Sequence, residues 1–442
     1  MKSNLKTTYR AETHEGGVAF AHMTPEQSLR RSVLSCFLFE REFYECGQSI
    51  AERIAETARK VSPGVVSALA IEARTSFNLR HAPLYLTAVL AGMARGDDLV
   101  SRTLEKVIRR ADEMPEFLAI YAKINGTTPD KLKGRISNQV KKGLARAFGK
   151  FDAYQLAKYD REGAIKLRDV MFLARPKPAN DEQAAVWKKL ADKNLESPDT
   201  WEVALSAGAD KKATFERLIQ EGNLGYLAVL RNLRNMNEAG VDHGLVRDVI
   251  LARKGADRVL PFRFIAAARH APWAEAWLDT AMQSSISALP TLPGKTVVLV
   301  DVSGSMDAPL SARSDMKRID AACGLAAVIN AESLRVFSFS DMIVEIPPRR
   351  GMAGVDAIRL SQPHGGTYLG AAVAHANKIG YDRLIVVTDE QSHDRVPEPV
   401  ALGYMINVAS AKNGIDYGPW VHIDGFSEQV LRFIYETETA RD

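Results

Sequence analysis

Thr296-Val297-Val298-Leu299-Val300-Asp301-Val302-Ser303-Gly304-Ser305 decides how the last third of this chain folds. From Thr296 to Val302 the stretch is apolar at nearly every position, as in a strand buried on both faces of a parallel sheet. It runs straight into a carboxylate and two hydroxyls on one turn, with Gly304 permitting a tight loop. Outward from it, elements alternate. Lys317–Asn330 reads as an amphipathic helix. Leu334–Phe339 and Met342–Pro347 read as short strands parted by Ser340-Asp341. Tyr368–Ile379 comes next as a helix, Arg383–Thr388 and Tyr404–Val408 as strands, and Ser427–Glu436 as a closing helix. The alternation predicts a doubly wound α/β domain over residues 289–442.

In such sheets ligands bind beyond the carboxyl ends of the strands. Asp301, Ser303 and Ser305 stand there. The loop Gly365-Gly366-Thr367 and the strand end Thr388-Asp389 are expected at the same edge, adding Thr367 and Asp389. Hard oxygen donors, few charges and room for water suit Mg²⁺, with Mn²⁺ or Ca²⁺ as alternatives. Catalysis is not indicated. The acid that phosphoryl-transfer sites place two residues after a strand-end Asp is here Ser303, and neither G-x-S-x-G, a Walker A loop, HExxH nor GxGxxG occurs. His81, His243, His270, His364 and His393 are scattered and read as structural or solvated.

Residues 1–288 form the other domain, and from about 24 to 288 they read as helices. Thr24-Pro25-Glu26 looks like a helix start. Gly47–Lys60, Gly64–Thr75 and Pro83–Ala94 carry apolar residues at three- and four-residue spacing, broken at Ser62-Pro63-Gly64 and His81-Ala82-Pro83. Leu289-Pro290-Thr291-Leu292-Pro293-Gly294 is a turn-rich hinge into the alternating α/β domain. Many short helices on short turns predict an α-solenoid or irregular helical array, although no repeat of fixed length is visible.

Net charge is only +4, but its distribution is uneven. Asp130–Pro178 holds 13 Lys/Arg against 5 Asp/Glu, whereas Lys295 to the end holds 14 against 19. Within the basic segment Val140, Leu144, Ala147, Phe148 and Phe151 share one helical face. Arg135, Lys142, Arg146 and Lys150 fall opposite, predicting a docked apolar stripe and a row of cations in solvent. Lys133, Lys141, Lys158, Arg161, Lys166, Arg168, Arg175 and Lys177 enlarge the group. Like charges at this spacing repel, so a polyanion partner is favoured. Tyr154 and Tyr159 lie near the cations and are candidates for base stacking, while Phe151 continues the core stripe.

The composition of 442 residues, 46% hydrophobic and 25% charged, is that of a globular protein. No apolar run reaches the roughly 18 residues of a membrane span. The polar start MKSNLKTTYRAETHEGG does not read as a secretory signal. Cys36, Cys46 and Cys323 form no CxxC pair and read as free thiols, which suits a reducing, cytoplasmic setting.

The Asp-x-Ser-x-Ser loop, the Gly-Gly-Thr loop and the Thr-Asp strand end resemble the metal-ion-dependent adhesion site of von Willebrand A domains. Asn223–Asn237, Val259–Phe264, Gly143–Tyr159, Arg168–Pro178, Phe339-Ser340-Asp341 and Gly425-Phe426 extend the likeness to the Ro autoantigen, or TROVE, family over nearly the whole chain. That resemblance implies a multidomain protein: an N-terminal all-α ring of HEAT-like helical repeats joined by a C-terminal von Willebrand A-like domain. It implies a monomeric, noncatalytic RNA-binding ring. Small noncoding Y-like RNA would bind an outer basic surface, and single-stranded ends of misfolded or damaged RNA a central hole. The resemblance further implies RNA quality control or stress response, with an exoribonuclease such as polynucleotide phosphorylase as a partner. The alternative is a metal-dependent protein-interaction adaptor with RNA binding secondary. This chain departs from the family in lacking a histidine within Lys141–Lys177 and in carrying Glu390 after Asp389, an extra carboxylate expected to alter the charge of the metal site.

Overall fold

The computed structural model describes residues 11–12, 18–19, 24–34, 47–76, 79–256, 259, 261–287, 291–310, 316–347, 349–409, 415, 418–424, 430, 434–435 and 438. Two short strands, β1 (Ala11–Glu12) and β2 (Val18–Ala19), pair antiparallel. From there to residue 287 the regular elements among the described residues are helical. They are α1 (Pro25–Leu34), α2 (Gly47–Ala58), α3 (Pro63–Thr75), α4 (His81–Met93), α5 (Leu99–Val107) and α6 (Glu113–Ile124). Next come α7 (Asn138–Phe148), α8 (Ala153–Tyr159), α9 (Leu167–Ala174), α10 (Asp181–Ala191) and α11 (Trp201–Ser206). The run ends with α12 (Lys211–Gln220), α13 (Tyr226–Glu238), α14 (His243–Ala252), α15 (Pro261–His270) and α16 (Glu275–Ser287).

The chain forms two compact units, and the break between their contacts lies at 209/210 rather than at the change of secondary structure near 289. The helical unit runs from Pro25 to Ala209, apart from 39–47. Local rules set its helix starts. Ser62 and Ser137 accept the N–H groups of Val65 and Val140, and Asp152 with Gln155 closes a capping box at α8. The apolar faces then merge into one core running from Leu29 to Leu190. One charged network lies inside that core. Arg74 donates to Glu113 at 2.6 Å and to the carbonyl of Val107, while the Glu113 carboxylate also accepts the N–H groups of Arg109 and Arg110. Glu113 is fully buried, so each of these partners offsets desolvation.

The second unit joins α12–α16 to the alternating region. Its sheet has the order β5-β4-β3-β6-β7-β8, formed by β3 (Leu292–Asp301), β4 (Ala331–Phe339), β5 (Ile343–Ile346), β6 (Arg383–Thr388), β7 (Leu402–Asn407) and β8 (Trp420–Asp424). All neighbours are parallel except edge strand β5. The expected buried run from Thr296 is the central strand. Beside the expected helices α17 (Arg318–Ala326) and α19 (Leu369–Ile379), the structure adds α18 (Gly351–Arg359), and it adds β8 to the strands. Val297, Leu299 and Val386 pack against Leu369, Ala372 and Val373 of α19. The same unit buries α15 and α16 against α17 and α18. Arg269 of α15 grips Asp320 of α17 with both guanidinium nitrogens, and Asp279 of α16 accepts the N–H of Met352. At Gly351 a Cβ would meet Asp279 Oδ1 at 2.2 Å, and φ is +66°, so glycine is required there.

Buried Arg383 at the foot of β6 bonds Pro293 O, Thr296 Oγ1 and Glu438. The predicted closing helix Ser427–Glu436 and the Gly425-Phe426 pair lie largely outside the described residues, as do Cys36 and Cys46. Cys323 is a buried free thiol. Among the described residues no helix is long and apolar enough to cross a membrane.

Candidate metal site and candidate nucleic-acid interface

The sheet order reverses direction between β3 and β6, and Asp301 and Asp389 stand at the ends of those two strands. Asp301, Ser303, Thr367 and Asp389 are all buried. Ser303 N–H donates to Asp301 Oδ1 at 2.9 Å, Thr388 Oγ1 to Asp301 Oδ2 at 2.6 Å, and the hydroxyls of Ser303 and Ser305 lie 3.3 Å apart. Gly304 N–H donates to Gly365 O at 2.9 Å, which ties the first loop to the Gly-Gly-Thr loop. Three sequence-distant segments therefore meet.

The second loop is held from beneath by residues whose role the sequence alone did not reveal. Ser340 accepts the N–H of Gly365 and donates to Gly366 O, and Asp341 accepts the N–H of Gly366 at 2.8 Å. A Cβ at Gly365 would sit 1.8 Å from Asp341 Oδ2, so a side chain there is excluded. Gly304 is different. Its φ is not positive, and a Cβ would meet His364 O at an ordinary 3.4 Å, so the tightness of the turn does not demand that glycine. The loop after β6 folds back onto α19, where Asp394 accepts the N–H groups of Gly370 and Ala371.

Charge at this edge is poorly balanced. Burial first, and then the neighbouring Asp389 carboxylate, pushes the Asp301 carboxyl well above the usual range, against hydrogen bonds from Ser303 and Thr388. Arg318, also buried and not singled out in the sequence, stands 3.6 Å from Asp389 Oδ2 and supplies one positive charge. Among the described residues no three His, Cys, Asp or Glu side chains gather, so a cation here would rely on two carboxylates with the hydroxyls of Ser303, Ser305 and Thr367. That donor set fits a hard divalent ion. Glu390 does not join it. Its carboxylate accepts the N–H of Ile415 at 3.0 Å and faces His422 at 3.3 Å, so the expected change of site charge is not what these contacts show. His364 bonds Asp307 and Arg359 O, and His393 stacks on Tyr368 beside the Thr367 backbone, both structural roles.

In the helical unit, α7 buries Val140, Leu144, Ala147 and Phe148, with Phe151 buried just beyond, as the helical spacing predicts. The row opposite is less uniform than expected. Lys142 is exposed. Arg146 lies 3.6 Å from Glu105 of α5. Lys150 turns its ammonium onto the carbonyls of Glu105 and Ile108, capping the C-terminal end of α5, and burial lowers its pKa. Lys150 is exposed as the spacing predicts, but its ammonium is shared with these two carbonyls. Lys166 pairs with Glu162 and Arg168 lies 4.0 Å from Asp169. Lys133, Arg135, Arg161, Arg175 and Lys177 are exposed, and Lys141 is half-buried. Lys158 lies over the rings of Tyr154 and Tyr159, and Arg110 lies 4.7 Å above Tyr159. Tyr154 and Phe172 are strongly exposed.

Fold and site together define a helical-repeat protein that carries a von Willebrand A-like sheet domain. Residues 189–287 match the family described as TROVE domain, a likeness that covers less than a quarter of the chain. The structure is similar to that of the Deinococcus radiodurans RO (RSR) protein, with a TM-score of 0.61 and 17% identity, covering 93% of this chain and all of that one. At that identity the likeness concerns the fold. Telomerase protein component 1 of Mus musculus is 38% identical over 78 residues and that of Rattus norvegicus 37%, each alignment spanning 16% of this chain. The matched stretch is only 3% of those relatives' length.

Proposed function

We propose that the chain is a noncatalytic RNA-binding protein that takes small structured, Y-like RNA on the flank of α7–α9. It also takes single-stranded ends of misfolded RNA, in the service of RNA quality control in the cytoplasm. The observation that carries this reading is the set of exposed cations around α7–α9, Lys142 on α7 itself and Lys133, Arg135, Arg161, Arg175 and Lys177 on the segments that flank these helices. Phosphate contacts from such side chains bind by shape and backbone and release counterions. With about six phosphates engaged, the log–log salt slope is roughly −4 to −5. The triple variant Lys142→Glu, Arg161→Glu, Lys177→Glu should lose hairpin RNA binding while keeping its helical signal. Unchanged affinity would sink the reading.

Mg²⁺ held by Asp301, Ser303, Ser305, Thr367 and Asp389 would balance the crowded carboxylates and offer a Lewis-acidic docking point for a partner's carboxylate. One observation favours such a protein-docking role beside RNA binding. Met342 and Tyr368, both exposed, stand on the loops that frame the acidic edge, where Ser340 N–H bonds Met342 O and Tyr368 N–H bonds Ser340 O. The partner class we propose for that rim is an exoribonuclease. Asp301→Ala should release a protein partner recovered with the wild type and leave RNA affinity unchanged. Retention of the partner would remove the docking role.

A further inference from the structure

Beside the acidic edge, one imidazole meets a hydrogen-bond acceptor at each of its nitrogens. His364 Nδ1 lies 2.7 Å from the Asp307 carboxylate, and Nε2 lies 3.0 Å from the carbonyl of Arg359. A neutral imidazole carries a single N–H and could donate to only one of them. Both bonds form together only when both nitrogens are protonated, so these contacts describe an imidazolium. The Arg359 carbonyl closes α18, and a helix end of that polarity favours a positive charge. The partners stand on the loops that frame the metal edge. Asp307 ends the helical turn Gly304–Asp307, which carries Ser305 and follows Ser303. His364 directly precedes Gly365-Gly366-Thr367. The imidazolium therefore ties the first loop to the second, alongside the backbone bond from Gly304 to Gly365, and ties both to the end of α18. A cavity of about 340 Å³ opens here, and its charged lining is Asp307, Lys317 and Asp320 of α17, Arg359 of α18, Arg269 of α15 and His364 itself. Arg269 pairs with Asp320, Arg359 lies 3.2 Å from Asp356, and Lys317 donates to Asp307 at 2.8 Å. Asp307 is thus the carboxylate that faces His364. Burial works to lower the His364 pKa, but bonding to Asp307 and to the Arg359 carbonyl outweighs it, and the net shift is upward. The side chain is 25% exposed, so solvent protons reach it.

We propose that His364 is a positioning residue of the metal edge and its pH-sensitive clasp. As an imidazolium it holds the Ser303–Ser305 loop against the Gly365–Thr367 loop, and on losing a proton it gives up one of its two bonds and loosens the cation site. The clasp stands on the contacts of His364 alone, whereas its effect on a cation rests on the metal-site reading above. The sign follows from the two states. The folded pKa lies above the unfolded value, near 6.5, so the clasp contributes fully below that value and is lost as pH rises through the folded one.

The test uses the full chain, first with chelator and then with Mg²⁺. Histidine ring NMR of the chelated protein, with His364→Ala identifying the signal, should place the His364 pKa above about 6.5, and Asp307→Asn should lower it. His364→Ala should melt below the wild type at about pH 5.5, and the gap should narrow toward about pH 9. Its Mg²⁺ dissociation constant should exceed that of the wild type by about five- to tenfold at about pH 6 and by less than about twofold at about pH 9. Titration of the carboxylates that would hold the ion is common to both proteins and cancels in that ratio. His364→Gln, which keeps one donor without the charge, should match the wild type at about pH 9 and fall behind it at about pH 6. A His364 pKa at or below the ordinary value, or a melting gap that ignores pH, overturns the clasp. A dissociation-constant ratio that stays flat or grows with pH, while the pKa and the melting gap behave as stated, overturns the positioning role. If the wild type binds no Mg²⁺ at any pH while the pKa and the gap behave as stated, the metal-site reading falls with that role and the clasp stands.

Discussion

The acidic edge of the sheet and the basic flank of α7–α9 handle charge in opposite ways. At the edge, Asp301 and Asp389 are buried side by side and raise the cost of each other's charge. On the flank, Lys142, Arg161 and Lys177 stay in water, where like charges cost little. Burial makes the first arrangement expensive, and Arg318 offsets part of it with one positive charge. Exposure makes the second cheap, and there only a survey of partners separates available cations from occupied ones. Lys150, Lys166 and Arg146 are occupied, by carbonyls, Glu162 and Glu105 respectively.

Glu113 is a third case, a buried charge fully answered from within, and its loss should give the largest effect. Glu113→Ala leaves Arg74 and the N–H groups of Arg109 and Arg110 without their acceptor, which should cost about 3–5 kcal/mol in chemical denaturation. A cost near that of a surface change would show that burial does not sort these charges as argued. The metal edge comes next. If it is an unanswered version of the same situation, Mg²⁺ at about a hundred times its Kd should stabilise the protein by about 2.7 kcal/mol. Asp301→Asn should abolish that gain, read as a melting shift with and without chelator. An equal shift in the variant would place the ion elsewhere.

How far the sequence shows these features depends on whether their partners are near in the chain. Strand β6 was legible because Leu384–Val387 is a continuous apolar, mostly β-branched run between Arg383 and Thr388. The Asp301, Gly365 and Thr388 segments could be brought together because parallel strands point their carboxyl ends to one edge. Arg318, Ser340 and Asp341 were not assigned roles at this edge, since their partners lie 25 or more residues away and no local period marks them. For the same reason α15 and α16 read as part of the helical region, although Arg269 and Asp279 fasten them to the sheet domain through residues 51 and 73 positions later.

Lys150 gives a smaller and sharper test of the comparison, because it lies in line with Lys142 yet bonds the end of α5. Lys150→Ala should cost about 1 kcal/mol of stability and leave hairpin affinity within about twofold. Lys142→Glu should do the reverse, weakening RNA and leaving melting nearly unchanged. A loss of affinity in Lys150→Ala equal to that in Lys142→Glu would merge the two residues into one interface and erase the distinction.

The smallest effect is one of pH and concerns a half-answered acid in the same unit. Burial works to raise the Glu116 pKa, but bonding to His81, together with the charges of His81 and Arg80, outweighs it and the net shift is downward. A carboxyl with a lower pKa in the folded state stabilises the fold above its unfolded pKa, near 4.3, and loses that contribution as pH falls through the folded value. Glu116→Gln should therefore match the wild type most closely at the acid end and fall behind it by less than about 1 kcal/mol near neutrality. Melting curves from pH 3 to 7 would show the gap opening as pH rises through about 4. A gap that widens toward acid instead would mean that His81 and Arg80 do not hold this carboxylate, and that even a partly exposed acid here escapes the balance seen at Glu113.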